Sequence, residues 1–263
     1  VILAVIAGST MMMPAMADYS GNASSSQPYS ILVDAKAHTM EIVTGTKKTS
    51  TNVDEAFETR GNKETITKPT NAAGEMSVNV GESHTDHGTV EDWGPKVGVI
   101  TDGKNAEGNY LGLVNGTTNR AYAVYYAGNP ANAKYNTVEV FSGNSQDDIA
   151  AVHGAKNAEE NVVIVRNAGT IATVNGAVVY DKDGRAAKNT VFVAGGQDIG
   201  GIAGAVAFNQ YSSNGSLKDN LVVLASGTSR TAFGAMATVI GDENSPMTPK
   251  NRINAEVIGN RVL

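Results

Sequence analysis

The segment Asn189-Thr-Val191-Phe-Val193 decides the fold of this chain, because its form, Asn-x-Val-x-aliphatic, occurs at four places. The other three copies begin at Asn136, Asn161 and Asn220, so successive asparagines are 25, 28 and 31 residues apart. Within each copy the Val and the following aliphatic residue lie on one face of a strand, since side chains alternate along it. Self-similarity at this period indicates a stacked repeat architecture.

One copy of the unit has a single apolar row and cannot close a core alone, so it needs its neighbours. We therefore predict parallel strands spaced by about 4.8 Å, with equivalent residues above one another. Stacked asparagines hydrogen-bond along such a stack. A β-sandwich does not require the same Asn before each strand, and a propeller needs about four strands in 40 residues. The predicted ladder residues are Asn136, Asn161, Asn189, Asn220, Val138, Val163, Val191 and Val222.

Each Asn-containing strand is followed by a break of small residues, then by a second strand rich in Ala, Gly and Val. The glycines of the breaks are expected to form sharp corners. A polar loop of variable length is expected to return the chain to the next Asn, and a weaker fifth copy begins at Asn251. The breaks are Ser142-Gly143, Ala168-Gly169, Gly195-Gly196 and Ser226-Gly227; the second strands are Ile149–Ala155, Val174–Tyr180, Ile202–Phe208 and Phe233–Ile240.

The composition agrees with a solenoid of short strands and tight turns. Of 263 residues, 17% are charged, 6% are aromatic and 29 are Gly, a profile that does not fit a helical enzyme. The net charge is −6 without a basic cluster, so a nucleic-acid partner is not expected. The absence of cysteine excludes disulfides and thiolate metal sites. The predicted class is all-β, a right-handed parallel β-helix with a less regular N-terminal region.

The N-terminal residues have the features of a targeting segment. The apolar run Val1–Ala7 is followed by Ala15-Met16-Ala17, the pattern of a secretory signal peptide with its cleavage site. Residues 1–17 are therefore predicted to be a signal peptide truncated at its start, with the mature chain beginning at Asp18. Residues 18–96 are predicted to be an irregular region with a capping hairpin within 29–45 and a short helix at Asn52–Arg60. Residues 97–263 are predicted to be β-helix repeats, incomplete at the C-terminus.

Several clusters have residue types that bind metals, but each is better explained as a turn or a solvated corner. His84, Asp86 and His87 lack an evident further ligand for Zn²⁺ or Ni²⁺. The run Asp181–Gly184 lacks the third acidic position and closing Glu of a calcium loop, so a turn with Gly at positive φ is expected. Asp147-Asp148 and Glu159-Glu160 are predicted to be solvated. No metal or other cofactor is predicted.

Catalytic chemistry is not expected either. Glycoside hydrolysis needs two carboxylates facing one groove, whereas the equivalent outward positions are Glu139, Ile164, Phe192 and Val223. Arg166, Arg185 and Arg230 are predicted not to fall in register with acidic residues. No catalytic residue is therefore assigned, and the chain is predicted not to be an enzyme. Trp93, Tyr122, Tyr125 and Tyr126 have the residue types of a carbohydrate-stacking patch, although core or loop packing explains them better.

The repeat, with its Gly-containing breaks and Ala/Val/Gly strands, resembles the passenger repeats of bacterial autotransporter proteins over about residues 110–263, most clearly at Asn189–Leu224. The resemblance implies a surface-exposed or secreted passenger region acting as a structural stalk or adhesin. It also implies translocation through a C-terminal outer-membrane β-barrel that is missing from this chain, and a host or matrix glycan or protein as partner. Two alternatives are a secreted β-helix enzyme acting on polysaccharide and a periplasmic or envelope-anchored structural protein without a barrel.

Overall fold

A computed structural model describes residues 29–34, 39–44, 63–67, 78–81, 96–101, 103, 105–118, 120–126, 130–209, 214–239 and 255–263. Every regular element in these ranges is a β-strand, which confirms the predicted all-β class. The first strands are β1 (Tyr29–Asp34), β2 (Thr39–Thr44), β3 (Lys63–Thr67), β4 (Val78–Gly81) and β5 (Lys96–Thr101). They are followed by β6 (Ala106–Glu107), β7 (Tyr110–Asn115), β8 (Thr117–Thr118), β9 (Arg120–Tyr126), β10 (Asn132–Lys134), β11 (Thr137–Val140), β12 (Gly143–Ala155), β13 (Asn157–Glu159), β14 (Val162–Val165), β15 (Ala168–Val179), β16 (Arg185–Ala187), β17 (Thr190–Val193), β18 (Gly196–Ala203), β19 (Val206–Asn209), β20 (Ser216–Lys218), β21 (Leu221–Leu224), β22 (Ser229–Phe233), β23 (Met236–Val239), β24 (Glu256–Ile258) and β25 (Arg261–Val262).

The first sheet contains the Asn-x-Val-x-aliphatic segments. Its parallel strands β7, β11, β14, β17, β21 and β25 are hydrogen-bonded in that order. The register aligns Val138 with Val163, Val163 with Val191, and Val191 with Val222. All four side chains are fully buried, as expected for β-branched residues on the covered face of a sheet. The predicted stacked parallel fold is confirmed.

The second sheet contains the Ala/Gly/Val-rich strands, which begin earlier than predicted. β12, β15 and β18 start at Gly143, Ala168 and Gly196, so three of the predicted breaks contain the first residue of a strand. β12 pairs in parallel with β9 and β15, and β15 pairs with both β18 and β19. These strands are long enough to pack against the first sheet with one half and against a third sheet with the other.

The third sheet corrects the prediction of a polar return loop. Strands of two or three residues precede the ladder asparagines, and the sheet order is β24-β20-β16-β13-β10-β6. The central residue points inward in most turns, as with Ala133, Ala158, Ala186 and Leu217, all buried. The segment before this short strand varies most in length, whereas the second sheet accommodates single-residue differences as irregularities in register. Each full turn of the solenoid therefore contributes to three sheets.

The interior contains two apolar clusters. One lies between the first and second sheets and includes Val138, Val163 and Ile171. The other lies between the second and third sheets and includes Val152 and Leu217. The ladder asparagines, which join the third sheet to the first, separate the two clusters by packing against small residues of the second sheet.

The N-terminal hairpin lies at the start of the parallel stack. β1 pairs in parallel with β7 and antiparallel with β2, which in turn pairs antiparallel with β3. The first sheet therefore changes from parallel to antiparallel pairing at this end. The predicted helix at Asn52–Arg60 lies outside the described residues.

A left-handed backbone conformation precedes every ladder asparagine and makes the corner between the third and first sheets. Such a conformation is unfavourable for L-residues by about 1–2 kcal/mol, so the stacked turns on either side must stabilise it. Of the predicted break glycines, only Gly143 and Gly227 have positive φ. The corner residues are Gly108, Tyr135, Glu160, Lys188, Asp219 and Gly259, with φ between 55° and 71°.

We expect Lys188→Gly to be more stable than Lys188→Ala by about 0.5–1 kcal/mol. Glycine removes the cost of the left-handed backbone, which outweighs its larger loss of backbone entropy. Both variants lose the same contacts of the Lys188 ammonium with Glu159 and Glu160, at 3.8 and 3.5 Å. Urea unfolding of the two variants measures the difference, and equal midpoints with equal slopes would contradict it.

Candidate functional site

Six buried or half-buried asparagines form one continuous hydrogen-bonded column. From the second member onward, the side-chain Oδ1 accepts bonds from the backbone N–H and from Nδ2 of the asparagine one turn earlier, at 2.8–3.1 Å. Each Nδ2 from the second member onward also donates to a carbonyl of the third sheet, for example Asn189 to Ala158 O at 3.1 Å. The members are Asn109, Asn136, Asn161, Asn189, Asn220 and Asn260.

Two members of the column were missed in the sequence. Asn109 is followed by Leu111 and Leu113 where the repeat has aliphatic β-branched residues, so the motif is altered. The position assigned to a fifth copy at Asn251 is held instead by Asn260, whose Oδ1 lies 2.8 Å from Asn220 Nδ2. Asn251 itself lies outside the described residues. A long insertion before the last turn conceals the period.

The predicted metal candidates do not form a site in the described part of the chain. His84, Asp86, His87 and Trp93 lie outside it. Among the residues that the structure places, no three His, Cys, Asp or Glu side chains come together as metal ligands. Asp181 to Gly184 form a turn, with Gly184 N–H donating to Asp181 O at 2.9 Å. Gly184 does not have positive φ; a Cβ there would lie 2.8 Å from Asp181 O.

The strand register places Glu139 opposite Ile164 and Ile199 opposite Ser229, so Arg166 and Arg230 are not directly opposite acidic residues. Both nevertheless reach an acidic side chain of the preceding turn diagonally, which the register argument did not predict. Arg166 Nε lies 2.5 Å from Glu139 Oε1, one turn earlier, and Arg230 lies 3.0 Å from Asp198. Glu139 is buried on the outer side of the first sheet, where it also accepts from the Tyr110 hydroxyl at 2.9 Å. Tyr110, Glu139 and Arg166 therefore form a column across three turns. These contacts connect successive turns outside the core.

Asp148 is the main correction to the sequence-based assignment of sites. It was predicted to be a solvated corner carboxylate, yet it lies within β12 and is 8% exposed. Its Oδ1 accepts from Thr173 Oγ1 at 3.1 Å and from Asn175 Nδ2 at 2.8 Å, both on the next turn. Its neighbour Asp147 is more exposed and pairs with Arg120, Nε to Oδ2, at 2.5 Å.

An aromatic cluster surrounds His153 beside Asp148 on the outer face of the second sheet. The ring of His153 lies 4.7 Å from Tyr122, 5.5 Å from Tyr125 and 5.0 Å from Tyr180, measured between centroids. Its Nε2 is 3.0 Å from the Tyr180 hydroxyl and 3.8 Å from Asp148 Oδ2. These residues come from three successive turns. A search of outward positions one repeat apart would have found the pairs Asp148–Asn175 and His153–Tyr180.

The tyrosines considered for a stacking patch, for which core or loop packing was the favoured explanation, have different surroundings. Tyr122 is buried on the outer face beneath the other rings, and Tyr125 is half-buried. Tyr126 points into the interior, where its hydroxyl donates to Asn132 O at 2.7 Å. Tyr126 is therefore a core residue, and Tyr122 and Tyr125 belong to the cluster around His153.

Burial raises the pKa of Asp148 to about 6. The hydrogen bonds from Asn175 and Thr173 and the charge of Arg120 oppose this effect, whereas the charge of Asp147 adds to it. A carboxyl with this pKa exchanges protons near neutral pH, so it has the acid–base property that general catalysis needs. The prediction that Asp148 is a solvated carboxylate is therefore wrong.

The raised pKa predicts that the contribution of Asp148 to stability declines between about pH 4 and pH 6. In this interval the folded state retains a proton that the unfolded state releases, so rising pH favours unfolding. Above it, the buried carboxylate costs on the order of 3 kcal/mol. Asp148→Asn should therefore match the parent at pH 4 and exceed its stability at pH 7. Urea unfolding of both proteins across this range measures the difference, and a pH-independent difference would contradict the prediction.

In the described residues no helix has the length and apolar character to cross a bilayer. Comparison of the chain with family models, with curated proteins and with solved structures gave no match. The functional interpretation therefore depends on the geometry of the columns and of the cluster around His153.

Proposed function

We propose that this chain is a surface-exposed or secreted passenger region of an autotransporter-like protein, in which the solenoid acts as a rigid stalk or adhesin. The observation that carries the proposal is the continuous asparagine column, which joins each turn to the next through buried hydrogen bonds. Each turn of a repeat protein contacts only its neighbours. Because the column fixes every turn to the next through buried hydrogen bonds, it makes the solenoid stiff along its axis. Function of this kind requires extension and a repeated surface, without a chemical step.

The outer surface supports the same interpretation. Cross-turn ion pairs follow the solenoid on several faces, for example Lys134 with Glu159 at 3.0 Å and Lys218 with Glu256 at 2.6 Å. Each exposed pair contributes little stability alone. Repeated from turn to turn, these ion pairs cover the surface of the solenoid with alternating positive and negative charges. Such a surface opposes lateral association between molecules.

The rival hypothesis, an enzyme acting on polysaccharide, requires two carboxylates facing one groove. The two buried carboxylates among the described residues, Glu139 and Asp148, lie on the first and second sheets and so face different sides of the solenoid. The structural role is therefore the better-supported proposal.

The proposal is tested by locating the protein on its native cells. We expect an externally added protease to degrade it on intact cells, or the protein to be present in the medium, with a mature N-terminus at Asp18. A periplasmic marker protein is the control for cell integrity. Protection of the chain in intact cells, together with degradation after lysis, would contradict a surface or secreted location.

A further inference from the structure

The outer face of the third sheet contains a groove with a volume of about 420 Å³. It lies over strands β13 and β16, which pair in parallel. The central residue of each strand points inward, so the residues on either side of it point outward. In one outward column Ala187 lies between Glu159 and Lys218. Because its side chain is a single methyl group, Ala187 leaves a gap among longer side chains, and this gap is part of the groove.

A short reverse turn, Asp181–Gly184, fixes one wall of the groove. Asp181 Oδ1 accepts from the Asp183 N–H at 2.9 Å, and Asp181 O accepts from the Gly184 N–H at 2.9 Å. Gly184 packs against the preceding turn of the solenoid, since a Cβ there would lie 3.0 Å from Lys156 O. The Arg185 N–H donates to the same carbonyl at 3.0 Å. Backbone contacts thus hold the wall in the free protein, which lowers the cost of ordering it on binding.

Two cations line the groove without an ionic partner. The ammonium of Lys156 and the guanidinium of Arg185 belong to exposed residues of the lining. Within the part of the chain that the structure describes, neither forms an ion pair or a side-chain hydrogen bond. The Glu159 carboxylate, by contrast, is already paired with Lys134 at 3.0 Å. Asp183 is the remaining carboxylate of the lining, so the uncompensated charge of the groove is positive and favours an anionic group.

The groove also contains hydrogen-bond acceptors. Asn157 Nδ2 donates to Asn132 Oδ1 at 2.7 Å, so outward asparagines form an exposed ladder on this sheet. The next outward position is Arg185, where the ladder ends, and Asn157 Oδ1 is left without a partner asparagine. The Asp183 carboxylate accepts from Asn214 Nδ2 at 3.5 Å, which is a weak contact. Both groups can therefore accept from the hydroxyls of a ligand.

We propose that this groove binds a saccharide that carries a carboxylate group. Arg185, whose planar fork matches a carboxylate in two hydrogen bonds, binds the acidic group together with Lys156. Hydroxyls of the same sugar donate to Asn157 Oδ1 and to Asp183. The inference rests on the proposed adhesin function, for which it names a ligand class and the surface that binds it.

Other classes of ligand use only part of the groove. A neutral sugar leaves the charges of Lys156 and Arg185 without an anion. A small inorganic anion leaves the acceptors Asn157 and Asp183 unused. A long polyanion is opposed by the net charge of −6 on the whole chain. A single acidic sugar, alone or within a neutral glycan, therefore matches the groove best.

The test is an NMR titration of the purified chain with two matched pairs of probes. The pairs are methyl glucuronide with methyl glucoside, and sialyllactose with lactose. In each pair the acidic saccharide carries a carboxylate that the neutral one lacks. We expect at least one acidic saccharide to bind at least about tenfold more tightly than its neutral counterpart, as for one charge-assisted hydrogen bond. Inorganic phosphate and acetate are the probes for non-specific anion binding.

Arg185→Gln should weaken binding of the acidic saccharide at least about tenfold, because it removes the paired donors to the carboxylate. Arg230→Gln is the matched control and should leave binding unchanged. It removes the same charge from the second sheet, where Arg230 pairs with Asp198 at 3.0 Å. Ala187→Leu keeps the net charge and fills the groove, so it should also weaken binding. All three substitutions are on the outer surface and should change the melting temperature by only a few degrees.

Four results would overturn the proposal: no acidic saccharide binds; the neutral counterpart binds as tightly; phosphate or acetate binds as tightly, so that the groove holds an adventitious ion only; or Arg185→Gln and Arg230→Gln have the same effect. Because these measurements use purified protein, their failure leaves the cell-surface location standing. Failure of the protease experiment on cells would likewise leave a measured saccharide affinity standing.

Discussion

Replacing Gly204 with alanine is expected to lower the free energy of unfolding by at least about 3 kcal/mol. A Cβ at this position would lie 2.4 Å from the carbonyl oxygen of Gly234 and 3.0 Å from Asn220 Cβ. The obstructing atoms belong to the backbone of the next turn and to the buried asparagine column, so neither can move without separating the turns. Overpacking in cores costs about 1–3 kcal/mol even where side chains can adjust.

Gly201→Ala is the matched control, because Gly201 lies shortly before Gly204 in the chain, within β18, and faces a different environment. Its added Cβ would lie 3.3 Å from Thr231 Oγ1 and 3.8 Å from Thr173 Cγ2, both side-chain atoms. We expect a change of less than about 1 kcal/mol for this variant. Urea unfolding of both proteins measures the contrast. Similar midpoints for the two variants would show that close approach at Gly204 is not required.

The glycine at this place belongs to a series that packs against the asparagine column. Gly176 would place a Cβ 3.2 Å from Asn189 Cβ and 2.3 Å from Gly204 O, and Gly234 would place one 2.9 Å from Asn260 Cβ. These positions do not have positive φ. Glycine is therefore required at these positions because there is no space for a side chain between the glycine series and the asparagine column. An unusual backbone conformation is not the reason.

Asn189→Ala is expected to lower the free energy of unfolding by about 4 kcal/mol. The side chain is fully buried and takes part in four hydrogen bonds within the column and to Ala158 O. Its loss leaves the backbone N–H of Asn161 and the carbonyl of Ala158 without these bonds in the interior. Each unpaired buried group costs about 1–3 kcal/mol, so the total exceeds the value of a single hydrogen bond.

The control is Asn157→Ala, since Asn157 donates a comparable cross-turn bond to Asn132 Oδ1 at 2.7 Å on the exposed surface. Water replaces this bond, and we expect a loss of no more than about 1 kcal/mol. Thermal and urea unfolding of both variants give the comparison. If Asn189→Ala lost no more stability than Asn157→Ala, the buried column would not be what holds the turns together.

Much of the stacked fold was predictable because the repeat is local in sequence. The form Asn-x-Val-x-aliphatic specifies a short strand, one buried face and the residue that occupies its start. Parallel stacking then places Val163 above Val138 and Asn189 above Asn161, as observed. The prediction required only that side chains alternate between the two faces of a strand and that equivalent residues of successive copies stack on one another.

The third sheet was not predictable in the same way. Its strands are two or three residues long and usually present one inward side chain, such as Ala133 or Ala158, between polar neighbours. So short a segment has no periodicity to detect. It becomes a strand because the turns on either side supply hydrogen-bonding partners, which is a property of the stack.

The candidate site depended even more on tertiary structure. The sequence by itself determined that Asp148 follows another acidic residue near a corner, and that Tyr122 and His153 lie in strands. The tertiary structure decided that Asp148 is buried, because Thr173 and Asn175 on the next turn cover it and satisfy one of its oxygens. A carboxyl's pKa follows from its burial and neighbours, and here those neighbours are 25 and 27 residues away along the chain.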